Sequence, residues 1–356
     1  MKYLWAYSIP TTTFIAIYFQ GKASYFTVLF AFVIIPIFEI LLPVDSRNAT
    51  EEEEKQLAVS KIYDLLLYLN VPIVFGLLYY FLITASISNI SAFEIIGLTL
   101  CIGILLGANG INVAHELGHR VSMFERILAK ILLIPSLYMH FFIEHNLGHH
   151  VHVATAEDPS TAKYNQSLYR FWKQTVIGTY RKAWQIQREL NRRNQVKWYS
   201  TKNEMLWFTL IQFAYLAGIY YFFNLITVGI AISAAVVGFL LLETINYIEH
   251  YGLLRNRLPS GRYVRVDKIH SWNSNFILGR IILYELTRHS DHHYKSSKKY
   301  QTLKNHPESP ELPYGYPTSM VLALIPPIWF QVMNKNIPKE MLPENKKTAL
   351  IKGGFS

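Results

Sequence analysis

Cysteine is nearly missing from this 356-residue chain, Cys101 being the only one. That excludes an internal disulfide, a thiolate zinc ribbon, an iron–sulfur domain or a four-thiolate iron site within the chain. Any electron-transfer centre built on thiolates has to come from a partner. Charge is scarce as well, at 16% of residues against a soluble norm of about 25%. Apolar residues fill the gap: 51% are hydrophobic and 15% aromatic, which argues against a wholly soluble protein. Aromatic rings at that density are expected at both interfaces of a bilayer.

The formal net charge is +10, and its placement decides its meaning. Thirteen of the 34 Lys and Arg lie in 114–204 and 16 in 250–356, the other five being Lys2, Lys22, Arg47, Lys55 and Lys61. Basic stretches thus alternate with uncharged apolar ones. This is the positive-inside pattern of an integral membrane protein, not the stripe of a nucleic-acid binder.

Six apolar runs suffice to cross a hydrocarbon core of ~30 Å as helices of about 20 residues: 3–20, 24–43, 61–86, 93–114, 205–224 and 228–249. The expected fold is an all-α integral membrane protein of six transmembrane helices. A transmembrane region spans 1–249 with an insert at 115–204, followed by a C-terminal segment 250–338 and a flexible basic tail 339–356. The short links after the first, third and fifth runs belong outside, so both termini and the long basic segments face the cytosol. No small-residue cleavage site closes the first run, which reads as a signal anchor. The acidic run Glu51 to Glu54 after Thr50 reads as the first turn of a capped helix. Residues 127–144, interrupted by Lys130, Pro135 and His140, read as a buried or interfacial helix. Phe30, Phe32 and Phe38 lie in the second run, and Phe38, about one turn from Leu42, is the candidate for a side chain that limits channel depth.

Thirteen histidines are the most informative feature. Nine fall into four groups: His115-Glu116-Leu117-Gly118-His119; Glu144-His145-Asn146-Leu147-Gly148-His149-His150; Asn246 to His250; and Arg288-His289-Ser290-Asp291-His292-His293. A spacing of i, i+4 places two imidazoles on one helix face, one turn apart. HExxH alone suits a zinc protease with Glu116 as general base. Nine imidazoles exceed the three protein ligands of a catalytic zinc, and they fit two metal ions with four or five each. Spacing does not name the metal, because imidazole suits iron, zinc, copper and nickel. Glu116, Glu144, Glu249 and Asp291 stand beside the groups as acceptors for the second ring N–H of a ligating imidazole. His140, His152, His270 and His306 stand apart and read as structural.

The strings HELGH, EHNLGHHVHVATAEDPSTA, NYIEHYGL and RHSDHH are recognisable as a set. They resemble the histidine boxes of the membrane alkane 1-monooxygenases, within the superfamily of membrane-bound di-iron desaturases and hydroxylases. The likeness extends to GRYVRV (261–266), HSWNSN (270–275), KKYQTL (298–303) and LPYGYP (312–317), and covers roughly 90–320. It implies that His115, His119, His145, His149, His150, His250, His289, His292 and His293 ligate two irons in an inner-membrane enzyme with a cytosolic site. It further implies dioxygen as co-substrate, and electrons from NADH through rubredoxin reductase and rubredoxin. The implied reaction turns medium or long n-alkanes, taken from the bilayer, into 1-alkanols. The alternative within the superfamily is a desaturase or hydroxylase of acyl lipids or aromatic methyl groups. Arg120 stands where the family often has Lys, and the first three runs match only in hydropathy. Arg255, Arg257, Arg262, Lys295, Lys298 and Lys299 are the expected docking cations for an acidic carrier. No nucleic acid is expected.

Overall fold

A chain in lipid must satisfy its backbone polar groups internally, and an uninterrupted apolar stretch does so as helix. The computed structural model describes residues 2–87 and 89–342, and these are helical throughout, joined by loops with three isolated β-bridges. In chain order the main helices are α1 (Ser8–Phe19), α2 (Gly21–Leu41), α3 (Glu51–Val59), α4 (Lys61–Ser86), α5 (Ala92–Gly118), α6 (Met123–Leu133), α7 (Leu168–Arg193), α8 (Glu204–Phe222), α9 (Leu225–His250), α10 (Ile277–Ile282), α11 (His289–Tyr294) and α12 (Tyr316–Ala323). Among the described residues, five helices are long and apolar enough to cross a membrane: α2, α4, α5, α8 and α9. Large side chains such as Tyr18, Ile40, Phe213 and Phe222 are exposed on them or on α1. Apolar surface on that scale suits lipid, not water. The expected run 3–20 is α1 preceded by a 3₁₀ turn, Lys2–Tyr7. The expected tail 339–356 falls largely outside the described residues.

The crossing of α5 and α9 sets the geometry of everything on one side of the molecule. A Cβ at Gly103 would collide with the Val237 side chain, and Gly238 faces Leu106 and the Gly103 carbonyl oxygen. Small residues at these positions let two backbones approach closely, the usual means of helix association in lipid. Both helices end at the same level, so the residues at their C-termini, His115 and His119 on one and His250 on the other, share one space.

Two further helices, the amphipathic α7 and the short α3, are polar on their exposed faces. In α7 the buried residues Phe171, Thr175, Thr179, Ala183, Gln187 and Asn191 recur every fourth position. Arg170, Lys173, Arg181, Arg188 and Arg192 occupy the remaining faces. Ahead of α4, the Thr50 hydroxyl accepts from the Glu53 amide and the Glu53 carboxylate from the Thr50 amide, a reciprocal cap that fixes the start of α3.

A buried ionic knot locks the C-terminal segment in place. Glu285 accepts from Lys2 Nζ at 2.8 Å, Tyr3 Oη at 2.9 Å and Arg280 Nε at 2.7 Å. Arg288 approaches the same carboxylate at 3.6 Å and donates to the carbonyls of Leu303 and Arg47. One carboxylate thereby ties the N-terminal turn, the 45–48 loop and α11. Burial alone would raise the Glu285 carboxyl, but its hydrogen bonds from Arg280 and the charges of Arg280, Lys2 and Arg288 hold it at about 2. Folding lowers this pKa, so its stabilisation is complete above the ordinary value of 4.5 and is lost as pH falls toward 2. Glu285→Gln strands buried guanidinium groups and is expected to cost about 3–5 kcal/mol at neutral pH. Thermal unfolding of the detergent-solubilised protein measures it, and the deficit against wild type should shrink as the pH falls through that window.

Candidate metal centre

Four short stretches bring the nine clustered histidines together. His115 lies in the last turn of α5 and His119 caps that helix; His250 is the last residue of α9; His289, His292 and His293 lie on α11. His145, His149 and His150 lie in a helical segment, 141–152, that contains a wide π-type turn over His145–His149. A second such turn, Leu106–Ile111, interrupts α5 just before its histidines. Single π-type turns inside helices often mark functional sites, because each one rotates the next stretch of helix about its axis.

The imidazoles sort into two groups, His115, His119, His145, His150 and His292 in one and His149, His250, His289 and His293 in the other, with potential ligand atoms within 4.8 Å of one another in each. In the first, Nε2 atoms face each other at 2.9 Å (His115 and His292), 3.1 Å (His119 and His145), 3.0 Å (His145 and His150) and 3.2 Å (His150 and His292). In the second they do so at 3.2 Å (His250 and His289) and 2.9 Å (His289 and His293). The His150 and His293 rings, 4.4 Å apart, join the two groups. The i, i+4 spacing of the second box suggests that His145 and His149 share a face. Instead, the His150 amide closes an i, i+5 bond to the His145 carbonyl, so His145 pairs with His150 while His149 turns to the other group.

This donor set fits cations. Burial first, and neighbouring imidazoles second, push His145, His150, His289, His292 and His293 well below the ordinary imidazole pKa, so these rings are neutral. Facing neutral rings can share only one proton per contact, and the Nε2 atoms of His145, His150, His289 and His292 each face two. Among the described residues, the buried Nε2 of His149 has no hydrogen-bond partner at all. Converging nitrogen lone pairs in a dry setting are costly until a cation occupies the centre.

The carboxylates divide between roles that sequence spacing offers, such as the i, i+4 pair of Glu116 and Arg120, and roles that it does not. Asp158 accepts from His149 Nδ1 at 3.0 Å and is itself held by the Thr161 hydroxyl at 2.6 Å and the Ser160 amide at 3.0 Å. That bond fixes the tautomer and aims His149 Nε2 inward. Burial would raise the Asp158 carboxyl, yet His149 and Thr161 hold it below its usual value. Asp158 lies nine residues from its partner, in the string EDPSTA, beyond any helical spacing. Glu116 instead pairs with Arg120 at 2.7 Å and accepts from the Tyr300 amide at 3.1 Å. Asp291 is engaged by Lys298, His306 and the Lys304 amide. Both correct the expectation that these acids hold clustered imidazoles, because nearer cations and amides compete for them. Glu249 accepts from the Tyr316 hydroxyl at 2.7 Å and touches His289 at Nε2, 3.2 Å, on the inner side of the ring. Glu144 is buried beside Gly148, and its Oε1 has no hydrogen-bond partner among the described residues. His140, His152, His270 and His306 stay outside both groups.

An apolar cavity of ≈ 80 Å³ is lined by Ile9, Phe32, Ile35, Ile104, Leu241 and Ile282 among others, with none of the nine histidines in its wall. Its walls include Asn112, one turn before His115, and Leu286, three residues before His289. Phe38, the expected depth-limiting ring, is 49% exposed on the outer face of α2, whereas Phe32, six residues earlier, lines the cavity. Several of the expected docking cations are engaged internally. Arg255 holds the carbonyls of Val264, Val151 and Val153; Lys298 and Lys299 pair with Asp291 and Asp64. Arg257 donates to the Tyr263 hydroxyl, while Arg262 and Lys295 are exposed.

The sequence matches the model of the family described as Fatty acid desaturase over residues 90–321. It is 38% identical to alkane 1-monooxygenase 1 of Pseudomonas aeruginosa over 87% of this chain and 82% of that one. It is 36% identical to the alkane 1-monooxygenase of Pseudomonas putida, over 94% and 85% respectively. A more distant relative, at 28% over 76% and 73%, is the xylene/toluene monooxygenase hydroxylase component of Pseudomonas putida. Asp158→Asn retains the size of the side chain but not the charged acceptor behind His149, and metal affinity is expected to fall about 10–100-fold. Chelator competition followed by elemental analysis reads that directly, and unchanged retention would assign Asp158 no part in holding metal.

Proposed function

The chain belongs to the alkane 1-monooxygenases of the fatty acid desaturase family, and from that premise we propose that it hydroxylates the terminal methyl of medium or long n-alkanes at two iron ions. The observation that carries the reading is the pair of buried imidazole groups, with an apolar cavity whose walls include Asn112 and Leu286, three residues before His115 and His289. In the balanced reaction, alkane, dioxygen, two electrons and two protons give a 1-alkanol and water. The irons would be held by His115, His119, His145, His150 and His292 on one side and by His149, His250, His289 and His293 on the other. They would supply the dioxygen-activating redox chemistry.

The chain's own residues do the rest. An alkane has no polar handle, so Ile35, Ile104, Leu241 and Ile282 bind it by apolar contact alone. The same lining excludes water from the reacting methyl. Asp158 keeps the His149 ring oriented, and Tyr316 restrains Glu249 next to His289. Six membrane crossings result if α1 counts with its 3₁₀ turn, since together they rise about 30 Å. The positive-inside pattern then puts the centre and both termini on the cytosolic side of the inner membrane. With a single, buried cysteine, too few thiolates for an iron–sulfur or four-thiolate iron site, the chain takes its electrons from rubredoxin, itself reduced by an NADH-dependent reductase. The exposed cations Arg262 and Lys295 are where an acidic carrier meets the least internal competition, whereas Arg257 already meets Tyr263 and Glu157.

Iron reconstitution should give about two Fe per chain, and cells expressing the protein and fed n-alkanes of graded length should release 1-alkanols detectable by GC–MS. Double bonds in cellular lipids with no 1-alkanol would instead favour the desaturase alternative. Chain length is set by walls more than affinity, because one methylene changes transfer by only ~0.8 kcal/mol. Phe32→Ala is therefore expected to extend the product range to longer chains, while Phe38→Ala leaves it unchanged. Identical profiles for wild type and Phe32→Ala would remove Phe32 from the channel. Reduction by rubredoxin should slow steeply as salt rises from low to physiological strength.

A further inference from the structure

Away from the metal centre, between α6 and the start of α8, lies a hollow of ≈ 550 Å³ walled by Ile127, Ile131, Ile134, Met139, Phe208 and Ile211. It abuts a second hollow of ≈ 520 Å³ with a different character, lined by Arg126, Asn146, Gln187, Asn191 and Lys202. Lys202 and Glu204 line both, so one groove passes from apolar to polar across them. The change occurs where α8, one of the five membrane-length helices, begins. Trp207, half exposed beside it, donates its indole N–H to the Thr201 carbonyl, the placement expected of an aromatic ring at headgroup depth.

Charge at the polar end is unbalanced. The Glu204 carboxylate is taken by Lys130. Among the described residues, neither Arg126 nor Lys202 meets a carboxylate within 4.0 Å, and the Arg126 guanidinium instead lies over the Phe142 ring at 5.4 Å. Two cations beside amide side chains, at the end of an apolar trough of membrane depth, match a phosphate carrying acyl chains.

We propose that this groove binds one anionic phospholipid, its acyl chain along α6 and α8 and its phosphate on Arg126 and Lys202. Phe142, Ile143, Asn146 and Leu147 form part of the wall of the second hollow, and they belong to the helical segment that carries His145, His149 and His150. The lipid therefore braces that segment from behind. The inference needs only the membrane placement of α8, not the reaction proposed for the centre.

The full-length protein in nanodiscs of phosphatidylcholine alone, or with phosphatidylglycerol, tests it by unfolding midpoint and by native mass spectrometry. One phosphatidylglycerol retained per chain and a higher midpoint in its presence are expected. Arg126→Ala/Lys202→Ala should lower retention at least tenfold and abolish the midpoint difference. Lys202→Glu alone, a change at an exposed side chain, should lower retention as well. Equal wild-type midpoints in the two lipids, undiminished retention in these variants, or the same shift from free glycerol phosphate in phosphatidylcholine discs would each overturn the proposal.

Discussion

Nine imidazoles pointing their ring nitrogens into two small, dry volumes is the constraint on which this fold depends. Each contact is near 3 Å, four of the rings face two others at once, and no arrangement of ring protons can satisfy them all. A soluble core avoids such a concentration of acceptors. Here the cost is offset only by cations, and the surrounding helices hold the rings in place against their mutual repulsion.

Two devices bring the rings to one level. Small residues at Gly103 and Gly238 allow α5 and α9 to cross closely, so that their C-terminal histidines meet. Wide turns at Leu106–Ile111 and His145–His149 then rotate the histidines. The second turn splits a contiguous pair, His149 and His150, between the two groups, and α11 does the same with His292 and His293. Two of the four stretches thus contribute to both groups, which makes the two sites one mechanical unit. The Glu285 knot holds α11 against the N-terminal turn, and Asp158 fixes one ring from behind.

The opposite side of the centre faces a different physical problem. A hydrocarbon provides no directional contact, so the cavity relies on shape, and shape is set by a few side chains on α2, α5 and α9. Phe32 belongs to that wall and Phe38 does not, although both lie on one helix. Six residues of ordinary helix already turn one away from the other, and the wide turn Phe30–Ile34 adds to the rotation.

The sequence by itself determined the membrane class, the apolar runs, the capped start of α3 and the nine histidines that converge. Each of these depends on residue type or on spacing within one regular helix. Only tertiary structure decided which imidazole faces which, because helical spacing predicts shared faces only while the turn is regular, and the turn at His145–His149 is not. It also assigned Asp158 to His149, a contact closed by a loop, and gave Glu116 to Arg120 and Tyr300, and Asp291 to Lys298, His306 and Lys304. A carboxylate pairs with whichever cation or amide the fold brings nearest, and several of those partners come from distant segments that no local pattern could identify.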